Sequence, residues 1–289
     1  MTSYEPKDIS VSQMHGLLLS AVAPRPIAFA STVDDKGNPN LSPFSFFNVF
    51  SANPPVMIFS PARRVRNNTV KHTLDNAKAT KEVVINVVNF DIVHQMSLSS
   101  TEYPEGVNEF EKAGLSMLDS DIVKPYRVAE SPVQFECKVN DIVALGDEGG
   151  AGNLIICEVV KMHISSEVLN DDGSINQEKL DLVARAGANH YSRANKGFFE
   201  IPKPIRTLGI GVDAMPDFVK NSMILTGNDL GMLGNVETLP DKQEIDIFVK
   251  DVSERYPDIK KMAHRDKHKI AQNYLSYGDI ESAWKLLLS

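Results

Sequence analysis

Short apolar runs separated by tight turns dominate the first 200 residues. Residues 26–33 (PIAFASTV) are β-prone, and the following Asp34-Asp35-Lys36-Gly37 places Gly37 where a hairpin turn needs a positive φ. Further strands are predicted at 41–48, 56–60, 82–89, 133–145 and 153–165, with the glycine-rich segment GDEGGAG joining the last two. Helices are predicted at 69–78, with Asn68 or Thr69 as N-cap, and at 177–184. Because few helices cross between strands, this pattern favours an antiparallel barrel over a doubly wound sheet.

The pattern becomes helical near Pro202 and Pro204, which interrupt any continuing element. We therefore predict two regions, a mainly β domain at 1–203 and a helical extension at 204–289. The extension has one amphipathic face formed by Ile245, Phe248, Val252 and Tyr256, a basic stretch at 260–269 expected to be a solvated helix face, and a helical hairpin over 271–287. Such a hairpin is marginal alone, so it is expected to pack on the barrel or on a second subunit.

Composition narrows the possible functions. The 289 residues are 42% hydrophobic and 24% charged, which is ordinary for a globular protein. No membrane-spanning run or signal-peptide pattern is present, so a cytoplasmic location is expected. Cys137 and Cys157 lie in apolar runs and are predicted to be buried free thiols. A net charge of −8 disfavours general nucleic-acid binding, so any anionic ligand must be met by a local cationic site.

Several common motifs are absent from the sequence. It contains no GxxxxGK[ST], HExxH or GxSxG motif, and Gly209–Ala214 only loosely resembles GxGxxA without a surrounding βαβ unit. His264 and His268 are four residues apart on a predicted helix but have no patterned Glu or Cys nearby. We therefore predict no metal site.

The most informative stretch is 24–76. Residues 40–48 (NLSPFSFFN) mix hydroxyls, amides and aromatics, which can hydrogen-bond along the edge of a flat heterocycle and pack on its face. Positive charge then concentrates beside hydroxyl groups in a pattern that suits a phosphate, at Ser60, Arg63, Arg64, Arg66 and Lys71. The predicted helix at 69–78 could also receive an anion at its N-terminus.

These residues, taken as an ordered set, resemble the flavin reductase-like family of FMN-binding split β-barrel proteins. The matching motifs are Pro24-Arg25-Pro26, Ser31-Thr32, 40–48, Pro54-Pro55, 71–76 (KHTLDN) with Val83–Asn86, and 185–193 (RAGANHYSR). The resemblance covers roughly residues 10–203 and says nothing about the extension. His72 and Ala186 depart from the residues common in the family.

The resemblance implies a split β-barrel with bound FMN, NAD(P)H as hydride donor, and a homodimer with flavin near its interface. It also implies a set of cofactor-binding residues: Ser31, Thr32, Asn40, Ser42, Pro43, Phe44, Ser45, Asn48, Ser60, Arg63, Lys71, Thr73 and Asn76. Of these, Ser60, Arg63, Lys71 and Thr73 are the candidates for the phosphate. His190 and Tyr191 are the candidates for the substrate side, with no catalytic residue assigned.

Two other functions remain open at this point. The chain could bind FMN without nicotinamide turnover, as a flavin store or sensor. It could also dock a partner, such as the monooxygenase of a two-component system, through residues 204–289. Because the matching flavin motifs all precede residue 194, we do not expect the extension to form the flavin site.

Overall fold

The computed structural model describes residues 1–104, 106–201, 204–205 and 207–289. They divide into two compact units, Met1–Phe199 and Glu200–Ser289. The predicted boundary after Lys203 falls on a residue outside the described ones. None of the described helices carries an apolar run of the length that a bilayer span requires.

The first unit combines strands with short helices. Its strands are β1 (Ala28–Val33), β2 (Pro39–Phe44), β3 (Phe47–Ala52), β4 (Pro55–Phe59), β5 (Glu82–Val87), β6 (Met117–Leu118), β7 (Arg127–Val128), β8 (Val133–Ala144), β9 (Asn153–Ile164), β10 (Val183–Arg185) and β11 (Tyr191–Arg193). Its α-helices are α1 (Val11–Ala21), α2 (His72–Thr80), α3 (Val93–Ser99), α4 (Glu109–Ala113) and α5 (Gln177–Leu180). Single 3₁₀ turns occur at Pro6–Asp8, Phe90–Ile92 and Ser166–Val168.

Seven strands form one antiparallel sheet in the order β2-β1-β5-β8-β9-β4-β3. Strands β2 and β3 stand at opposite ends of this order, yet only Ser45 and Phe46 join them. Such a link spans at most about 11 Å, so the sheet must curl until its two ends come close. No ladder joins β2 to β3 in the part of the chain that the structure describes, so the barrel is split at this seam. The predicted antiparallel split barrel with C-terminal helices is confirmed.

Alternation along the strands divides the core of the first unit into two layers. Ala28 and Ala30 of β1 pack in one cluster with Phe59 and Ile85, whereas Phe29 points to the other. The second cluster contains residues from α3 and α4, including Met96 and Phe110. Cys137 and Cys157, on neighbouring strands, are both buried and unpaired, as predicted.

Three predicted elements differ from the structure. The strand predicted at 41–48 is divided between β2 and β3, because the Phe46 carbonyl accepts a hydrogen bond from the Ser60 N–H at 2.9 Å where the chain turns. Helix α2 begins at His72, with Lys71 as its N-cap residue, because the Asn68 and Thr69 side chains are bonded to Arg63 and Arg64 instead. The helix predicted at 177–184 ends at Leu180, and residues 183–185 pair with β11.

The second unit is helical. Its helices are α6 (Asp217–Lys220), α7 (Gly227–Gly234), α8 (Lys242–Asp251), α9 (His264–Ser276) and α10 (Ile280–Leu288), with a 3₁₀ turn at Ile259–Lys261. They enclose Trp284, the only tryptophan in the sequence, whose indole N–H donates to the Leu233 carbonyl at 2.9 Å. The predicted hairpin is formed by α9 and α10.

The basic stretch at 260–269 is only partly the solvated face that its charge predicts. Lys267 and His268 are buried, and His268 Nδ1 lies 2.7 Å from Ser222 Oγ. Phe218 stacks with His264 and, at a longer distance, with His268. The face of α9 that carries His268 therefore belongs to the core of the second unit.

Candidate functional site

A cationic cleft forms where β2 meets the beginning of α2. Lys71 Nζ donates a hydrogen bond to Ser42 Oγ at 3.1 Å and lies 5.0 Å from the centre of the Phe44 ring. Each contact joins the residue before α2 to the last residues of β2. The cleft is lined by Asn40, Ser42, Arg64, Lys71, His72, Thr73, residues 100–103 and Glu109.

The electrostatics of Lys71 favour an anion in this cleft. Burial, followed by the nearby charge of Arg64, lowers the pKa of Lys71. Lys71 forms no ion pair with any residue that the structure describes, so its charge is without a bonded counter-ion there. Helix α2 begins at His72 and Thr73, and its unpaired N–H groups add positive potential beside the ammonium.

A buried polar network supports the cleft from below. Asn40 Oδ1 accepts from Thr73 Oγ1 at 2.7 Å, and Asn40 Nδ2 donates to Glu109 Oε1 at 3.0 Å. Glu109 Oε2 accepts from the Leu41 N–H at 3.1 Å. Burial raises the pKa of Glu109, because these hydrogen bonds only partly compensate for its removal from water. The network fixes β2 against α2 and α4 and so fixes the position of the cleft.

Ser31, Thr32 and Asn76 lie beneath this cleft and are not among the residues that line it. Asn76 Nδ2 donates to Thr32 Oγ1 at 3.1 Å, which ties α2 to β1. Ser31 Oγ is buried and has no hydrogen-bond partner among the described residues. None of the three therefore lines the cationic cleft, although Asn76 lines a neighbouring cleft together with Asn40 and His72.

A second cleft adjoins the first, because Ser100 lines both. Its volume is about 360 Å³, within the range of about 300–1,000 Å³ typical of small-molecule sites. It is lined by Ile27, Pro43, Phe44, Ser45, Met96, Ser97, Ser100, Arg185, Asn189 and Tyr191. Phe44 is only 7% exposed and packs on Phe59, so most of its ring is unavailable to a ligand.

Arg25 connects the walls of the second cleft. Its buried guanidinium donates to Ser45 Oγ at 3.3 Å, to the Val22 carbonyl at 2.7 Å and to the Ala186 carbonyl at 3.3 Å. It also bonds the Leu19 carbonyl. Arg25 therefore fixes Ser45 relative to the segment that carries Tyr191. The sequence contains this residue in the Pro24-Arg25-Pro26 motif, but its role follows only from the structure.

The two predicted substrate-side residues have different surroundings. Tyr191 is 39% exposed, lines the second cleft, and carries the Arg185 guanidinium 4.6 Å from its ring centre. His190 is exposed, with its Nδ1 3.2 Å from the Gly187 carbonyl of its own loop, and is not among the lining residues. Only Tyr191 therefore faces the cleft.

Asn48, Ser60 and Arg63 are not brought to either cleft. Asn48 is exposed on β3, and its side-chain oxygen accepts from the Val49 N–H. Ser60 Oγ accepts from the Asn153 N–H at 3.0 Å, and the Arg63 guanidinium bonds the side chain and carbonyl of Asn68. Of the two neighbouring arginines, Arg64 lines the cationic cleft and Arg63 does not.

Sequence reasoning missed the two acidic residues of the cationic cleft, Glu102 and Glu109. They follow Lys71 by more than thirty positions, and no motif connects them to it. The Asn108 side chain caps α4, as its oxygen accepts from the Phe110 N–H, and this cap is the only local signal near Glu109.

One group of possible metal ligands occurs in the described part of the chain: Asp121, Glu136 and His163. Its central carboxylate already accepts from the N–H groups of residues 121–123 and lies 2.7 Å from His163 Nε2. Lys161 bonds Asp121. These contacts occupy both oxygens of Glu136 and one oxygen of Asp121.

Comparison with known proteins agrees with the split barrel. Residues 20–181 match the flavin reductase like domain, and the chain therefore belongs to this flavin-binding family. An uncharacterized protein of Aquifex aeolicus is 37% identical over 188 residues, which cover 65% of this chain and 93% of the relative.

Two solved structures extend the comparison. Nitrilotriacetate monooxygenase component B from Bacillus cereus is similar with a TM-score of 0.65 and 28% identity, over 70% of this chain and 98% of that one. The 2-nitrobenzoate 2-nitroreductase NbaA of Pseudomonas fluorescens has a TM-score of 0.63 at 23% identity, over 73% of this chain and all of its own, and shares the fold.

Proposed function

We propose that the chain is an FMN-binding, NAD(P)H-dependent flavin reductase. The observation that carries this proposal is Lys71, a partly buried ammonium whose hydrogen-bond partner is a hydroxyl and which has no bonded counter-ion among the described residues. One residue beyond Ser42, at Pro43, β2 reaches the roomier second cleft. A ligand with a phosphate at one end and a flat ring at the other matches a cationic cleft followed by a larger cleft.

The donor set fits FMN in its chemistry. Lys71, Arg64 and the N–H groups at the start of α2 would hold the terminal phosphate, and polar groups from Ser42 to Ser45 would meet the ring edge. One cationic cleft matches one terminal phosphate, which favours FMN over FAD. Bound flavin would supply the hydride chemistry that links a nicotinamide donor to free flavin, oxygen or another acceptor.

The remaining roles follow from the walls of the second cleft. Arg25 would hold Ser45 in place, while Tyr191 and Arg185 offer the nicotinamide an aromatic face and a cation. The Bacillus cereus neighbour is a monooxygenase component, and this likeness supports a partner monooxygenase as one possible consumer of the reduced flavin.

The decisive experiment is a paired titration with FMN and riboflavin, which lacks the phosphate. Lys71→Ala and Arg64→Ala should each weaken FMN binding by roughly ten- to hundredfold, because a charge-assisted hydrogen bond is worth about 1.5–3 kcal/mol. Riboflavin binding should change little. Lys78→Ala removes the same charge from an exposed position on α2 and is the matched control. An equal loss for both ligands would contradict the phosphate assignment.

Nicotinamide turnover is tested separately from binding. Anaerobic addition of NADH or NADPH to the FMN-loaded protein should bleach the flavin absorbance near its visible maximum. If the flavin colour is retained with both nucleotides, the protein binds flavin but has no reductase activity. Arg63→Ala should leave FMN affinity close to that of the unchanged protein, since its guanidinium is bonded to Asn68.

We further propose that the protein is a homodimer. Helix α1 buries none of its residues, and it exposes Leu17 and Leu18. On β3, Val49 and Phe50 are each 63% exposed. Exposed apolar area of this kind marks an interaction surface, and a second copy is the occupant that the family resemblance favours. Light scattering should give twice the chain mass, and Phe50→Ser should shift it toward the monomer.

A further inference from the structure

The cationic cleft already contains an anion that belongs to the chain itself. Glu102 is exposed and lies on residues 100–104, which connect α3 toward α4. Its Oε1 lies 3.0 Å from Arg64 Nε, and its Oε2 contacts a terminal nitrogen of Arg66. One carboxylate therefore bridges two of the cations nearest to Lys71 in sequence.

The arginine facing the cleft is held in a fixed orientation. Arg64 Nη1 donates to Thr69 Oγ1 at 2.8 Å and to the Val70 carbonyl at 2.7 Å, directly before Lys71. These bonds leave the Nε side of the guanidinium for Glu102. The carboxylate thus occupies a donor of Arg64 that a phosphate in this cleft could otherwise use.

The space left in the cleft beside Glu102 is small. With Glu102 and Tyr103 in its wall, the cleft has a volume of about 20 Å³. About 10–15 Å³ of such space holds one water, so the cleft has room for little more than a single water, and a phosphate group is larger than that. A phosphate can therefore enter only if part of the wall moves.

Of the two acidic residues in the wall, Glu102 is the one that can leave. Glu109 is buried and accepts hydrogen bonds from Asn40 and the Leu41 N–H, so its displacement would break the network beneath the cleft. Glu102 is exposed, and its bonds are to two arginines that solvent reaches. Exposed ion pairs are weak, so exchanging this carboxylate for another anion has a small cost.

We propose that Glu102 is an internal competitor for the phosphate site, bound to Arg64 in the empty protein and displaced by the ligand phosphate. This inference rests on the proposed function. A phosphate monoester carries a charge of about −1.5 to −2 at neutral pH. It can therefore replace a single carboxylate with a net gain in electrostatic binding free energy, whereas a singly charged anion gains little. The competitor makes the cleft selective for ligands that end in a phosphate dianion.

The test compares Glu102→Gln with the unchanged protein in titrations with FMN, riboflavin and inorganic phosphate. The variant should bind FMN and inorganic phosphate about two- to tenfold more tightly, because a weak competing ion pair is removed. Riboflavin affinity should not change. The gain for FMN should shrink at high salt, which screens the exposed pair in the unchanged protein.

Glu111→Gln is the matched control, since it removes the same charge from α4 at an exposed position that contacts Asn108 instead of an arginine. An equal gain in this control would show a general charge effect and would overturn the inference. Weaker FMN binding by Glu102→Gln would also overturn it, as Glu102 would then support the bound ligand. If neither form binds either flavin, the proposed function fails, while the phosphate titration still decides whether Glu102 competes.

Discussion

Two buried glutamates of the first unit have opposite electrostatic behaviour. Both are almost inaccessible, Glu136 at 0% and Glu109 at 6% exposure. Burial by itself raises the pKa of each carboxyl. For Glu136, three backbone N–H groups and His163 reverse this effect and lower the pKa to about 2. For Glu109 the pKa stays above its ordinary value.

This difference in pKa distinguishes a carboxylate with a structural role from one beside a candidate ligand site. The oxygens of Glu136 are fully occupied, so the group serves as a clamp on residues 121–123. Glu109 has fewer donors and lies in the wall of the cationic cleft, where its negative charge partly balances Lys71. A buried carboxylate that accepts few hydrogen bonds is the one whose protonation a bound ligand can change.

The largest expected effect is the loss of the Glu136 clamp. Glu136→Ala should lower the free energy of unfolding of the first unit by about 3–5 kcal/mol, because buried donors lose their acceptor. Chemical denaturation followed by far-ultraviolet circular dichroism measures the change, while the fluorescence of Trp284 follows the second unit separately. Glu178→Ala, at an exposed position, is the control. A loss below about 1 kcal/mol would contradict the clamp.

The second effect is the acid sensitivity of the same group. Because the folded pKa of Glu136 is about 2 and the ordinary value is 4.5, the unfolded chain binds the proton first as pH falls. Its contribution to stability is therefore complete above pH 4.5 and declines down to about pH 2. Denaturation across this range should show the decline in the unchanged protein and a flatter profile in Glu136→Gln. Identical slopes would rule out Glu136 as its source.

The third effect concerns Glu109, whose contribution to stability changes with pH in the direction opposite to that of Glu136. With a raised folded pKa, the folded protein keeps a proton that the unfolded chain has lost, so this group lowers stability as pH rises above 4.5. Carboxyl carbon resonances in NMR should place the Glu109 titration above that of exposed glutamates. Bound FMN should raise it further, since a phosphate adds negative charge to the same cleft. A downward shift on FMN binding would contradict the assignment of the phosphate to this cleft.

The smallest effect is expected in the second unit. Burial, and then the nearby His264, lowers the pKa of His268 below its ordinary 6.5. The unfolded chain therefore binds this proton first, and the second unit loses stability as pH falls below 6.5. Trp284 fluorescence during denaturation should show the loss, and His264→Gln should reduce it. If the midpoint is constant between pH 7 and 5, the buried histidine has no such role.

The sequence predicts most of the strands because their signals are local. The β8–β9 hairpin has apolar residues on both sides of a glycine-rich tip, and its bounds differ from the prediction by a single residue at the end of each strand. The division of 41–48 depends on a hydrogen bond between Phe46 and Ser60, fourteen positions apart, which no local pattern contains.

The site was less predictable for the same reason. The cationic segment 60–71 indicates a phosphate-binding site, but it does not show which arginine lines the cleft. Arg63 is bonded to Asn68, which takes a positive φ of 54°, whereas Arg64 bonds Thr69 and Val70 and lines the cleft. Glu102 and Glu109 come from segments that the fold brings to Lys71 from a distance.

The two thiols in the middle of the sheet provide a way to time its opening. Burial raises the pKa of Cys157 to about 12 and that of Cys137 well above its ordinary value. Since the thiolate is the reactive form, a thiol reagent at neutral pH can modify either residue only after β8 and β9 separate. The rate at which a thiol reagent modifies Cys137 and Cys157 therefore measures how often β8 and β9 separate. A ligand that stabilises the barrel should slow this modification, and no engineered label is needed to detect it.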